Sequence, residues 1–409
     1  MREMKYSGIE WIGIIPSDWY VARLKQASIC KDSMRVPVDA SERTPGPYPY
    51  WGAGKVMDYV HDYLFDEELV LLGEDGAPFF DKSRDVAHLV NEKIWVNNHI
   101  HVLKPRDNVD ARYLTYYLNI VDYGSYIYGS ILNKLTQGQM REIFVVFPSY
   151  AEQRKIAEYL QAKCSKVDIL VQNQKCQIEK LQQYKQSLIT KVITKGLDAQ
   201  APMKDSGVEW IGQTNERFDI IPIRSLFKIK KDIIGKEPDT VLSITQTGLR
   251  VKDITENSGQ MAESYANYQI VNIGDFAMNH MDLLTGGIGI SEYEGVTSPD
   301  YRVFVLKNKA MNPRYFLYVF QMYYRNKIFY AFGQGAANVG RWRLPAQNFN
   351  NIAIPVPPIE EQNAIVEYLD NKITTIDELI SIKQEKIVRL TQYKKSLIYE
   401  YVTGKKEVM

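Results

Sequence analysis

Five histidines, three cysteines and 49 acidic residues are the raw material for catalysis in this 409-residue chain, and their spacing assembles little of it. Of His61, His88, His99, His101 and His280, only His99 and His101 lie close together, in Asn97-Asn98-His99-Ile100-His101-Val102. Strand alternation would put both on one face. No cysteine or carboxylate pair at ligand spacing joins them, so they read as polar strand residues rather than a metal centre. Cys30, Cys164 and Cys176 are odd in number and scattered, which suits a reducing compartment better than a disulfide framework. There is no G-x-x-x-x-G-K-S/T phosphate loop and no dinucleotide fingerprint. Gly286-Gly287-Ile288-Gly289 lacks the helix-opening context of a phosphate cradle and reads as a tight turn between strands.

Asn312-Pro313-Arg314-Tyr315 resembles the Asn-Pro-Pro-Tyr/Phe motif of DNA adenine methyltransferases, but the second proline is missing. A helix start explains the segment better, with Asn312 as N-cap and Pro313 at the first helical position. Basic residues gather at Arg224, Lys228, Lys230, Lys231 and Lys236, and at Arg341-Trp342-Arg343. Such clusters suit phosphate contacts, and arginine beside Asn or Gln suits base-edge reading. The tyrosines, 28 in all, include Tyr113, Tyr116, Tyr117 and Tyr315, Tyr318, Tyr323, Tyr324. Their helical spacing favours a core stripe over base-stacking platforms.

Composition narrows the class further. Fifty basic residues against 49 acidic give a net charge of +1, which excludes a uniformly basic, histone-like binder. By segment the charge is −4 for 1–150, +4 for 151–199, +2 for 200–358 and −1 for 359–409. No apolar run approaches the roughly 18 residues of a membrane span. The start, Met1-Arg2-Glu3-Met4-Lys5, is not followed by an apolar signal core, so a cytoplasmic protein is expected.

The elements that must position these residues come in two copies. Met4 to Gly13 recurs as Met203 to Gly212 with eight of ten positions identical, and Arg112 to Tyr116 recurs as Arg314 to Tyr318. Pro148 to Gly196 aligns without a gap to Pro357 to Lys405, with 19 identities in 49 positions. The expected domains are 1–150, a helix over 151–199, 200–358, and a second helix over 359–409. The middles, about 30–105 and 230–305, resist alignment and read as short strands broken by Gly, Asn and Asp. Helices follow near 110–119 and 312–326. The fold class is therefore α+β with an internal pseudo-twofold repeat.

The long helices carry a heptad seam. In the first it runs Leu160, Cys164, Val167, Val171, Gln174, Ile178, Leu181, Lys185, Leu188, Val192. In the second it runs Leu369, Ile373, Ile376, Ile380, Lys383, Ile387, Leu390, Lys394, Leu397, Tyr401. Neither helix meets Pro or Gly before Gly196 or Gly404, so each is a rod of roughly 65 Å. Connectivity makes them an antiparallel coiled coil, with the C-terminus returning to the first domain.

The openings Ser7-Gly8-Ile9-Glu10-Trp11-Ile12-Gly13 and Ile15-Pro16-Ser17-Asp18-Trp19 resemble those of specificity subunits of type I restriction–modification systems. So do Phe147-Pro148 through Glu152-Gln153, Pro357-Pro358-Ile359-Glu360-Glu361-Gln362, and the Leu-x-x-Tyr-Lys-x-Ser-Leu-Ile runs at 181–189 and 390–398. The resemblance covers essentially the whole chain. It implies two target recognition domains that each read half of an asymmetric, interrupted site in double-stranded DNA, with the helices as spacer. It also implies docking of two methylation and two restriction subunits. S-adenosylmethionine, ATP and Mg would be used by those partners, and no cofactor or metal by this chain. One departure is Gln213-Thr214-Asn215-Glu216-Arg217-Phe218 where the first copy has Ile14-Ile15-Pro16-Ser17-Asp18-Trp19, which bears on how the second domain's first strand is anchored.

Polar or basic residues in loop-like stretches are the candidate DNA contacts. They are Lys55, Asn97, Asn98, His99, Lys134 and Gln137 in the first domain, and Thr245, Gln246, Arg250, Asn279, Arg341 and Arg343 in the second. Two rival classes exist: a stand-alone adenine methyltransferase, which needs an S-adenosylmethionine pocket, and a non-catalytic coiled-coil adaptor, which leaves two unlike globular copies unexplained.

Overall fold

The structure, a computed structural model, describes residues 2–81, 83–127, 133–253, 262–335 and 342–408. Both globular parts open with the repeated motif closing a hairpin. Met4–Tyr6 pairs with Ile14–Pro16, and Met203–Asp205 with Gln213–Asn215, in matching antiparallel register. Ser7 Oγ accepts the Ile9 N–H and Ser206 Oγ the Val208 N–H, each at 3.1 Å, which fixes the turn. The departure at 213–218 leaves this hairpin intact. Phe218 is buried where the first copy buries Trp19, and Thr214 Oγ1 donates to the Thr194 carbonyl at 2.6 Å.

A four-stranded antiparallel sheet is common to both parts. Its order is Ser28–Cys30, Ile100–Pro105, Leu69–Gly73, Ala87–Val90 in the first part. In the second it is Phe227–Lys230, Arg302–Leu306, Phe276–Met278, Ile288–Ile290. The helices Ala111–Leu118 and Pro313–Arg325 pack on these sheets. Their N-caps are the residues expected. Asp110 Oδ1 accepts the Tyr113 N–H at 2.8 Å, and Asn312 Oδ1 accepts the Arg314 N–H at 2.9 Å.

The tyrosines form the core stripe. Tyr113, Tyr117, Tyr315 and Tyr323 are fully buried. Each hydroxyl caps a carbonyl of the strand that leads into the long helix. Tyr113 donates to Val146 and Tyr117 to Phe144, while Tyr315 donates to Pro355 and Tyr323 to Ala353, all at 2.8–3.0 Å. A buried phenol needs such a partner. The Glu-Gln motif has an equally local reason. Gln153 and Gln362 are buried, and their side chains accept the Asp110 and Asn312 N–H groups at 3.0 Å. Each ties a domain helix to the start of a long one.

The middles differ in topology as well as sequence. In the first part Pro45–Trp51, Val56–Val60, Phe65–Asp66 and Lys93–Val96 form one mixed four-stranded sheet, with Pro45–Trp51 parallel to Lys93–Val96. In the second, Leu242–Thr245 pairs with Gly248–Val251, and Gln269–Val271 with Gly295–Thr297, as separate two-stranded sheets.

The long helices run Tyr150–Lys195 and Ile359–Val402, of 46 and 44 residues. The chain divides into two units, 1–177 with 381–409, and 178–380. In the first unit the two helical segments run antiparallel, with Lys394 on Asp168 at 2.8 Å and Lys383 on Gln177 at 2.7 Å. Leu397, Ile398, Tyr401 and Val402 join its core beside Trp19 and Tyr113. In the second unit Lys185 meets Asp377 at 2.7 Å, the same pair displaced by 209 residues with its partners exchanged. Among the seam residues Leu160, Val167, Leu188, Leu369, Ile376 and Leu397 are buried, while Val171, Ile178, Leu181, Ile373, Ile380, Ile387 and Leu390 are half-buried. A two-helix seam covers each position from one side only, which leaves the middle ones partly open.

Candidate nucleic-acid interface

Strands Ile100–Pro105 and Arg302–Leu306 hold the same place in the two common sheets. Pro105 pairs with Ser28 and Leu306 with Phe227, each of the latter directly following a four-residue helix. Counting back four residues makes His101 the counterpart of Arg302. On the neighbouring strand Leu72 faces His101 and Met278 faces Arg302. Two residues beyond them stand Glu74 and His280. The backbone closes identically around these side chains: Leu135 N–H donates to the Glu74 carbonyl at 2.7 Å, and Leu344 N–H to the His280 carbonyl at 2.9 Å. His101 Nε2 reaches the Leu135 carbonyl at 2.9 Å, and Arg302 Nη2 the Leu344 carbonyl at 2.8 Å. One node thus recurs with different chemistry.

In the first domain the node is balanced by acids. His101 is fully buried, with Nδ1 2.6 Å from Asp32 Oδ2. Burial pushes the Asp32 carboxyl up, but the His101 contact, the Val102 N–H and Arg35 outweigh it and hold the group at about 2. Arg35 spans the site, 2.6 Å from Glu74 Oε2 and 3.5 Å from Asp32 Oδ2. Spacing in sequence gave no carboxylates near His101. Tertiary structure brings Asp32 and Glu74 to it from distant segments, so that one ligand atom from each lies within 4.8 Å of the others. Arg35 already supplies the positive charge that such a trio needs. His99 does not share a strand with His101. It sits in the preceding turn, exposed, with Nδ1 bonded to Asp75 Oδ1. The alternation argument fails there because the strand begins only at Ile100.

Three of the six candidate contacts of the first domain, Lys134, Gln137 and His99, come together around this node. Lys134 Nζ lies 3.2 Å from Glu74 and 3.5 Å from Asp75. Gln137 Nε2 lies 3.3 Å from Asp32 Oδ2. Asn97 is buried, and its Oδ1 accepts the His99 N–H at 2.9 Å, a turn-fixing role rather than an outward one. Asn98 and Lys55 are exposed, Lys55 in the loop between Trp51 and Val56. That loop approaches so closely that a Cβ on Gly73 would meet the Ala53 carbonyl at 2.7 Å. Lys134 and His99 are both held by acids.

In the second domain the node is cationic and unbalanced. Arg302 is 5% exposed, lies 4.7 Å over the Phe349 ring, and leaves Nη1 without a partner. Burial lowers its guanidinium to about 10, still charged at neutral pH. His280 Nδ1 is likewise unpartnered, and burial, Arg302 and Arg343 lower that ring to about 3. Asp32 lies four residues beyond Ser28, and the same count from Phe227 gives Lys231, which is exposed.

Thr245, Gln246 and Asn279 also come together. Gln246 Nε2 donates to the Thr285 carbonyl at 3.2 Å, while Asn279 Oδ1 accepts the Met281 N–H at 3.1 Å. Gly287 is where the Leu242–Val251 hairpin presses on this loop. A Cβ there would meet the Thr245 carbonyl at 2.0 Å, so the glycine run serves close approach. Arg250 Nη2 donates to Thr247 Oγ1 at 3.0 Å. Arg343 is exposed and bridges by backbone to Gln334, while Arg341 lies outside the described residues. Trp342 is structural, stacked on Tyr330 with its indole N–H on the Tyr330 carbonyl. The sequence reading missed Asp32, Glu74, Arg302 and His280. The Leu135 and Leu344 alignment at offset 209 was the signal that could have found the node.

No helix among the described residues is long and apolar enough to cross a membrane. Comparison with known proteins agrees with the repeat. The family model described as the type I restriction modification DNA specificity domain matches residues 16–180 and again 218–392. A protein of Haemophilus influenzae named as a type I restriction enzyme specificity subunit is 24% identical over 393 residues, covering 90% of this chain and 92% of its own. The type I restriction enzyme MjaVIII specificity subunit of Methanocaldococcus jannaschii is 23% identical, covering 96% and 93%. A solved chain from work on complex assembly and conformational transition of the type I R-M system shares the fold, with a TM-score of 0.63 at 12% identity over 95% of this chain and 98% of that one. The chain therefore belongs to the type I restriction–modification specificity family and carries two target recognition domains of that kind.

Proposed function

We propose that this chain is the non-catalytic DNA reader of a cytoplasmic type I restriction–modification complex, each domain reading one half of an asymmetric, interrupted site. The observation that carries this reading is the contrast between a shared framework sheet and two unrelated middles. A common mount with different inserts suits two different half-sites on one duplex. The domains are taken as 1–150 and 200–358, and the helices as the spacer that fixes the gap between half-sites. Two methylation subunits and two restriction subunits dock on the chain. They use S-adenosylmethionine, ATP and Mg, while this chain binds no cofactor of its own.

The test is to co-express the chain with its methylation subunit and map N6-methyladenine. An interrupted two-part motif is expected. Inserting one heptad into both long helices should change the tolerated gap and leave each half-site readable. A motif with its original gap would sink the spacer reading. Exchanging 230–305 for another family member's middle should change the second half-site alone.

A further inference from the structure

Arg112 and Arg314 are the same residue of the repeated Arg-Tyr block, and they meet different fates. Arg314 Nη2 lies 2.7 Å from Asp370 Oδ1, and the Tyr318 hydroxyl donates to the same oxygen at 2.5 Å. At the matching position of the first long helix the acid is absent. Gln161 stands where offset 209 places Asp370, exposed and uncharged. Arg112 has no ion pair or side-chain hydrogen bond among the described residues. The nearby acids are committed elsewhere, Asp168 to Lys394 at 2.8 Å and Asp85 to Lys395 at 2.7 Å.

Arg112 lines an open cleft of about 340 Å³ with Trp51, His88, Tyr116, Gln161 and Lys394, all within the first unit. Two polar atoms there are buried without partners, Trp51 Nε1 and His88 Nε2, on rings 5.2 Å apart. Burial raises the Tyr116 phenol, so its O–H stays a donor. The cleft thus holds an unpaired guanidinium, an indole N–H, a phenol and an amide, and the carboxylate on its lining, Asp85, is engaged by Lys395. It also adjoins the candidate reading loop, since Asn97 N–H donates to the Trp51 carbonyl at 3.1 Å.

We propose that this cleft is an anion site for a phosphate group, built around Arg112 and present in the first domain only. A tetrahedral oxyanion accepts from guanidinium and indole donors together, and charge-assisted bonds of this kind are the strong ones. If the occupant is a DNA backbone phosphate, the site rests on the DNA-reading function and gives the acidic first domain its local grip. A free phosphate is the other source of the same chemistry.

The experiment uses the full chain and two variants, Arg112→Gln and Gln161→Asp. The second copies the Asp370 arrangement onto an exposed helix position, and thermal melts matching wild type confirm folding. Duplex affinity is measured against salt, and inorganic phosphate binding is measured without DNA. Losing one phosphate contact should lower the salt slope by about 0.9 in both variants, so that between about 50 and 200 mM salt they lose roughly 3-fold less affinity than wild type. Phosphate binding by wild type that vanishes in both variants, with the slope unmoved, assigns the cleft to free phosphate. An unchanged slope together with no phosphate binding overturns the site. Failure of the wild-type chain to bind duplex would count against DNA reading, and the phosphate arm would still decide the cleft.

Discussion

The buried node of the first domain and that of the second share a backbone and oppose each other in charge. Around His101 the chain places Asp32, Glu74 and Arg35, so every charge has a partner. Around Arg302 it places His280 and no acid among the charge partners seen in the described residues, and two buried nitrogens go unsatisfied. The framework tolerates either because the shared bonds are main-chain ones, from Leu135 to Glu74 and from Leu344 to His280. Side chains at the node are then free to diverge with the loops they support.

The largest test of this contrast removes an acid from one node and its counterpart from the other. Asp32→Ala strips the partner from a buried histidine and should cost about 3–5 kcal/mol of unfolding free energy. Lys231→Ala, at the matching exposed position, should stay within about 0.5 kcal/mol. Denaturant titration reads both, and equal losses would break the comparison.

A smaller effect comes from mending the second node. His280→Glu gives Arg302 the kind of acid Glu74 provides, and recovers part of an unsatisfied-donor penalty of about 1–3 kcal/mol. The melting temperature should rise by a few degrees. The same variant changes acid sensitivity. His280 titrates near 3 when folded and about 6.5 when unfolded. The unfolded chain therefore takes up a proton that the folded one refuses, and stability falls as pH drops from about 6.5 towards 3. Asp32, held at about 2 against an ordinary value of about 3.9, loses its contribution only between about pH 4 and 2. Burial lowers His88 as well, so the first unit keeps a share of the upper window in the variant. Melts at pH 7 and pH 5 should converge in His280→Glu relative to wild type, and no convergence would mean that another group sets the acid response.

The smallest effect belongs to the helices, where the halves agree. Lys394→Ala and Lys185→Ala each break a pair whose carboxylate is more than half exposed. Each should cost under about 1 kcal/mol. A clear inequality between the two would show that the repeat is less faithful on the helices than the matching pairs suggest.

Much of the fold was legible because its signals are local. The caps Asp110 and Asn312, the Ser-Gly turn motif and the heptad seam each depend on neighbours a few residues away. Of the candidate contacts, Lys134, Gln137 and His99 do meet at one node, but the acids that receive them lie 24 to 105 residues away. No spacing rule reaches that far. Asn97, a candidate DNA contact by sequence, is a buried turn-former, since a polar side chain in a loop serves the backbone as readily as a ligand.

The sequence by itself determined the duplication, the α+β class, the two long helices and the burial of the tyrosine stripe. These follow from periodicity, which is a property of the chain. Only the tertiary structure decided which charges are spent and which are left over. Asp32 reaches His101 across 69 residues, and Asp370 reaches Arg314 across 56, while Arg112 is left facing Gln161. Electrostatic pairing depends on distance in space, and the fold sets that distance by register and helix contact.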